Sequence, residues 1–99
     1  MAYEILMAIR VTDEARYRDY REAMMPILGS YGGRFGYDFR VSEVLESPTG
    51  EDLNRVFTIR FPDRTARERF FADSDYAKVR ASLFDRSVAL KTIIAEYEA

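Results

Sequence analysis

Three arginines, one aspartate and one tyrosine are the residues of this chain best suited to chemistry on a small molecule. Arg10, Arg40 and Arg60 fall in three segments that read as strands. A guanidinium group holds a carboxylate or phosphate through a planar fork of donors, so three of them on one surface predict a site for a small organic acid. The alternative is ion pairing with Asp38, Glu4 or Glu43 of the same or a second chain. Asp38 is a carboxylate inside a strand with aromatic residues on both sides. In a desolvated cleft its pKa rises and it can serve as a base, whereas against an arginine it is an inert structural acid. Tyr17, Tyr20 and Tyr31 share a helical face and read mainly as core. A buried phenol such as Tyr20 beside an arginine can also polarise a carbonyl. Arg10 and Arg60 are expected to sit close together on neighbouring strands and to hold one anion between them.

What is missing narrows the chemistry further. The chain has no His and no Cys. It therefore lacks the usual general base, thiolate nucleophiles, disulfides and the imidazole and thiolate ligands of zinc or haem. It has no glycine-rich phosphate loop and no cluster of acids at metal-ligand spacing, so neither cofactor nor metal is expected. Arg64, Arg67, Glu68 and Arg69 read as a solvated helix face. The run Gly33-Arg34-Phe35-Gly36-Tyr37-Asp38-Phe39 echoes an RNA-recognition signature, but on the second strand, whereas those modules use the first and third. With a net charge of −2, no basic field favours nucleic acid or an anionic membrane. No apolar run approaches the ~18 residues needed to span a bilayer. The start, Met1-Ala2-Tyr3-Glu4, lacks the basic opening of a signal peptide, so a cytoplasmic location is expected.

The elements that must position these residues follow from periodicity. Tyr3, Ile5, Met7, Ile9 and Val11 alternate, as in a half-buried strand. Thr12 and Asp13 can cap a helix whose apolar stripe is Tyr17, Tyr20, Met24, Leu28 and Tyr31. Pro26 lies inside that stripe and predicts a kink, and Gly32-Gly33 predicts the helix end. Phe35, Tyr37, Phe39 and Val41 alternate as a second strand, with a parity change near Val44-Leu45 that suggests a bulge. Ser47 to Asp52 is a turn cluster at an exposed hairpin tip. Phe57, Ile59 and Phe61 mark a third strand. Asp63 or Thr65 caps a second helix, Ser74-Asp75 re-caps it, and Tyr76, Val79 and Leu83 continue it. Val88 to Tyr97 is the last strand.

The order β-α-β-β-α-β over residues 1–99 is one ferredoxin-like α+β domain, with the first and third strands central and both helices on one face. The aromatic side of the second strand (Phe35, Tyr37, Phe39) is expected to face the helices. The open face then carries Leu6, Ala8, Arg10, Arg34, Asp38, Arg40, Val56, Thr58 and Arg60. A chain of 99 residues has little material to cover both faces of its sheet, so a homodimer joined through the open face is expected.

Tyr20-Arg21-Glu22-Ala23-Met24-Met25-Pro26-Ile27-Leu28, then Tyr31-Gly32-Gly33-Arg34-Phe35, together resemble the DUF1330 family. Val44-Leu45-Glu46, Asn54-Arg55-Val56, Phe61-Pro62 and Ser74-Asp75-Tyr76 add to the resemblance, which spans nearly the whole chain. It departs at Phe39-Arg40, where members carry Gly-Gly, and at Arg60, where they often carry an acid. The resemblance implies the dimeric α/β-barrel arrangement of ferredoxin-like domains and imports no reaction. Three functions remain open: an enzyme on a small organic acid or carbonyl compound, a non-catalytic binding or sensing domain, and a purely structural dimer.

Overall fold

The computed structural model describes residues 1–99. Strand β1 (Tyr3–Val11) leads into α1 (Glu14–Ser30), then β2 (Arg34–Arg40) and β3 (Arg55–Phe61). Helices α2 (Arg64–Ala72) and α3 (Ser74–Val79) follow. The chain then passes through a π-helical turn (Arg80–Phe84) and one last helical turn, α4 (Asp85–Ser87), into β4 (Val88–Glu98). The sheet is antiparallel, in the order β2-β3-β1-β4. This is the expected ferredoxin-like α+β architecture with β1 and β3 central.

Local chemistry sets the helix ends. Asp13, Asp63 and Asp73 each accept a bond from the backbone N–H three residues on, capping α1, α2 and α3. The cap of α3 is Asp73 rather than Ser74-Asp75, because Ser74 is already the first helical residue. At the end of α1 the N–H of Gly32 donates to Gly29 and that of Gly33 to Leu28. That is the Schellman arrangement, and Gly32 takes the left-handed φ of 74° that it requires. Helix α1 runs unbroken through Pro26. Replacing Pro26 with Ala restores the amide that bonds the Glu22 carbonyl. It is expected to raise Tm by a few degrees, roughly 1 kcal/mol of the ~3 that proline costs a helix interior; a lower Tm contradicts this.

Ile5, Met7, Ile9 and Val11 of β1 and Phe57, Ile59 and Phe61 of β3 pack against Tyr17, Tyr20, Met24 and Leu28 of α1, with Phe70, Tyr76 and Phe84. Burying each of these large side chains contributes about 1.5–3 kcal/mol.

Strand β2 departs from the reading above. Phe35 stands opposite Ile59, but Asp38 stands opposite Phe57, so β2 has a bulge at Gly36-Tyr37. The bulge depends on Thr58: its Oγ1 accepts the Tyr37 N–H at 2.9 Å, and a Cβ at Gly36 would lie 2.5 Å from that same oxygen. One extra residue reverses the parity of everything beyond it. Tyr37 and Phe39 therefore stack on the open face, 69% and 55% exposed, while Asp38 and Arg40 turn to the helix side. The strand ends at Arg40, and the parity change at Val44-Leu45 lies in a loop.

That loop is tied down at its far end. Asn54 Oδ1 accepts the Val11 N–H at 2.7 Å and its Nδ2 donates to the Val11 carbonyl at 2.9 Å. The loop reaches the open side of β4, where it lines a depression with Thr92 and Ile94.

Candidate functional site

Between the sheet and the helices lies a narrow cleft with a free volume of about 50 Å³. By the ~10–15 Å³ that one water needs, this is room for only a few heavy atoms. Met7, Phe57, Ile59 and Phe35 of the sheet form one wall. Tyr17 and Tyr20 of α1, Phe71 of α2 and Tyr76 of α3 form the other, and Arg80, Phe84 and Lys91 complete the lining. Nine of these eleven residues are hydrophobic, none is an acid, and Arg80 and Lys91 have no acid partner. The π-helical turn supplies Arg80 and Phe84. Such turns are frequent at functional sites.

Tyr20 is the one proposed site residue that the fold places in this cleft. Its hydroxyl lies 2.9 Å from that of Tyr76. Burial pushes the Tyr20 phenol far above its ordinary range, and the Tyr76 hydroxyl adds to the effect. Burial also raises Tyr76 and Tyr17; for Tyr17 it outweighs Arg21, which donates to its hydroxyl. All three phenols therefore stay protonated at neutral pH. The pair can donate a hydrogen bond to a carbonyl or share one with a ligand hydroxyl, but it is not a base.

Unfolded tyrosines release protons above about pH 10, while the folded chain keeps these three, so the folded state binds more protons there. Stability from this source is full below pH 10 and is expected to fall as the pH rises further. Tm measured from pH 8 to 11.5 should show a shallower alkaline fall for Tyr20→Phe than for the parent; parallel curves contradict the burial of that phenol.

The other four proposed site residues lie elsewhere. Arg60 and Glu4 are cross-strand partners, with Arg60 Nη1 donating to Glu4 Oε1 at 2.6 Å. Arg10 lies six residues further along β1, roughly 20 Å away at ~3.3 Å per residue. There its Nη1 donates to the Asp52 carboxylate at 2.9 Å and the Asp52 carbonyl at 3.0 Å. Both arginines keep the expected open face, but the register places them too far apart to share one small anion. Asp38 is gripped by Arg55 through two 3.0 Å bonds, and Arg21 stands 3.2 Å from the same carboxylate. Burial alone pushes the Asp38 carboxyl up; the hydrogen bonds from Arg55 and the charges of Arg21 and Arg55 outweigh it and hold the carboxyl below its usual range. Asp38 is thus an ion-paired acid here. Arg40, turned to the helix side by the bulge, has no acid partner.

Sequence reasoning missed Tyr76, Arg80, Phe84 and Lys91 as lining residues. Only Tyr76 carried a signal, as a second apolar-face phenol, and nothing local ties it to Tyr20, 56 positions earlier.

A family model described as "Domain of unknown function (DUF1330)" matches residues 1–97. No protein of curated function matches the chain. Among solved structures, a protein of unknown function from Rhodopseudomonas palustris superposes with a TM-score of 0.80 at 17% identity, covering 99% of this chain and 82% of that one. A dimeric protein of unknown function and ferredoxin-like fold from Bacteroides fragilis gives 0.64 at 10% identity, covering 99% and 96%. A cofactor-independent oxygenase from Streptomyces nogalater gives 0.66 at 13% identity, covering 99% and 92%. At these identities the likeness concerns the fold alone. No helix is long and apolar enough to cross a membrane.

Proposed function

The chain belongs to the DUF1330 family, and we propose that it works as a homodimer whose sheet–helix cleft binds a small organic acid or carbonyl compound. The observation that carries this reading is the lining of the cleft. Its walls are apolar, the Tyr20–Tyr76 hydroxyl pair sits within them, and the charged lining residues are two cations without acid partners. An apolar body packs against Phe57, Phe35 and Phe84, a carbonyl accepts from the tyrosine pair, and a carboxylate faces Arg80 and Lys91. Because the tyrosines donate rather than abstract protons, the reading is of binding with polarisation of a carbonyl.

Dimerisation through the open face has support of its own. The β2 bulge adds stacked Tyr37 and Phe39 to that face, and Ile94 and Tyr97 are exposed on β4. A solved structure of the same fold from Bacteroides fragilis is described as dimeric. Arg10 and Arg60, each already held by an acid, then border the junction between the two copies.

Thermal denaturation across small carboxylates, keto acids and neutral carbonyl compounds tests the binding reading. A keto acid is expected to raise Tm in a concentration-dependent way. Lys91→Ala is expected to remove the preference for the acid over the corresponding neutral ketone. If no member of these classes shifts Tm at millimolar concentration, the cleft is only a packing gap and the domain a structural dimer.

A further inference from the structure

A second depression, of about 240 Å³, opens beside α1 at the β2 edge of the sheet. Its lining is Glu14, Tyr17, Arg18 and Arg21 of α1, Arg40 of β2 and Arg55 of β3. It shares only Tyr17 with the cleft described above.

The four arginines outnumber the acids within reach, and both acids are already committed. Asp38 is forked by Arg55 and touched by Arg21. Glu14 lies one helical turn before Arg18, where it would ordinarily pair with it. It stands instead 3.9 Å from Arg55. Arg18 and Arg40 are left exposed, with neither an ion pair nor a side-chain hydrogen bond. The β2–β3 register sets Arg40 directly opposite Arg55. Like charges at such a position destabilise a sheet unless something neutralises them. The Nη2 of Arg21 is moreover buried with no acceptor. Four guanidinium groups against Glu14 and Asp38 leave a local excess of two positive charges, on a chain whose net charge is −2.

We propose that this depression is a binding site for a compact dianion, the phosphoryl group of a phosphate monoester or a short dicarboxylate, gripped by Arg18 and Arg40 and backed by Arg21 and Arg55. Two charges on the ligand match the two in excess, and free guanidinium forks are the groups that hold such anions in water. The β2 bulge creates the site, since without it Arg40 would point away from Arg55 and α1. The site does not depend on the keto-acid reading of the cleft.

The test titrates the full chain with inorganic phosphate and, separately, malonate, at constant ionic strength with chloride as the balancing anion. Arginine side-chain NMR signals report binding. Saturable shifts at Arg18, Arg40 and Arg55 with at least one dianion are expected, and acetate is expected to bind more weakly. Saturation by phosphate alone identifies a phosphoryl ligand, and saturation by malonate alone a dicarboxylate. Arg18→Ala and Arg40→Ala each remove no native ion pair or side-chain hydrogen bond, so both variants should fold. Each is expected to weaken binding ten- to a hundredfold. Arg64→Ala, on α2, is expected to leave it unchanged. Shifts that follow chloride equally well, or an Arg40→Ala variant that binds as tightly as the parent, overturn the proposal.

Discussion

Asn54→Ala is expected to lower stability by about 2–4 kcal/mol and Tm by 10 °C or more, one of the largest losses available from a single polar side chain here. The Asn54 amide satisfies both backbone groups of Val11, and the Asn54 N–H donates to the Ile9 carbonyl. Removing the side chain strands a half-buried N–H and C=O at the end of a central strand, each worth about 1–3 kcal/mol when left unmade; water reaching them moderates the sum. Asn54→Asp keeps an acceptor for the Val11 N–H but turns a second oxygen toward the Val11 carbonyl. It is expected to lose at least as much at neutral pH. Thermal and urea denaturation measure both variants, and a loss below about 1 kcal/mol for Asn54→Ala contradicts the clamp.

Phe39→Glu is expected to weaken the proposed dimer by a hundredfold or more while leaving the protomer folded. Phe39 is exposed in the single chain and stacks only on Tyr37. A carboxylate there costs the protomer little. Buried between two sheets without a partner, it costs several kcal/mol, at 1.4 kcal/mol per factor of ten. Sedimentation should show the parent as a dimer at micromolar concentration and the variant as a monomer with unchanged far-ultraviolet circular dichroism. A monomeric parent, or a variant that remains dimeric, rejects the open face as the interface.

The contrast between β1 and β2 shows what the sequence could reveal. In β1 the alternation of Ile5, Met7, Ile9 and Val11 is a local property, and each falls in the core. Phe35, Tyr37 and Phe39 alternate just as regularly, yet they end on two faces of the sheet. The cause is long-range: Thr58, more than twenty residues away, captures the Tyr37 N–H, and Gly36 leaves room for it. A period-two pattern is blind to such a bulge. The pairing of Arg10 with Arg60 failed differently. Both lie on the face expected, but their separation is a matter of register, which no pattern within either strand specifies. Tyr20 was legible as a core position on α1, and its hydroxyl partner came from an element that the chain reaches only after two more strands and a helix.

The cleft's role as a site for a small acid or carbonyl compound is tested most directly by mapping where a probe binds. Backbone and side-chain NMR signals are followed as pyruvate, a keto acid small enough for this narrow cleft, is added to the full chain and to its Lys91→Ala variant. The account predicts saturable shifts centred on Tyr20, Tyr76, Phe84 and Lys91, with affinity falling about tenfold or more in the variant. Shifts that do not saturate, or that fall on the open face and spare Tyr20 and Tyr76, contradict it.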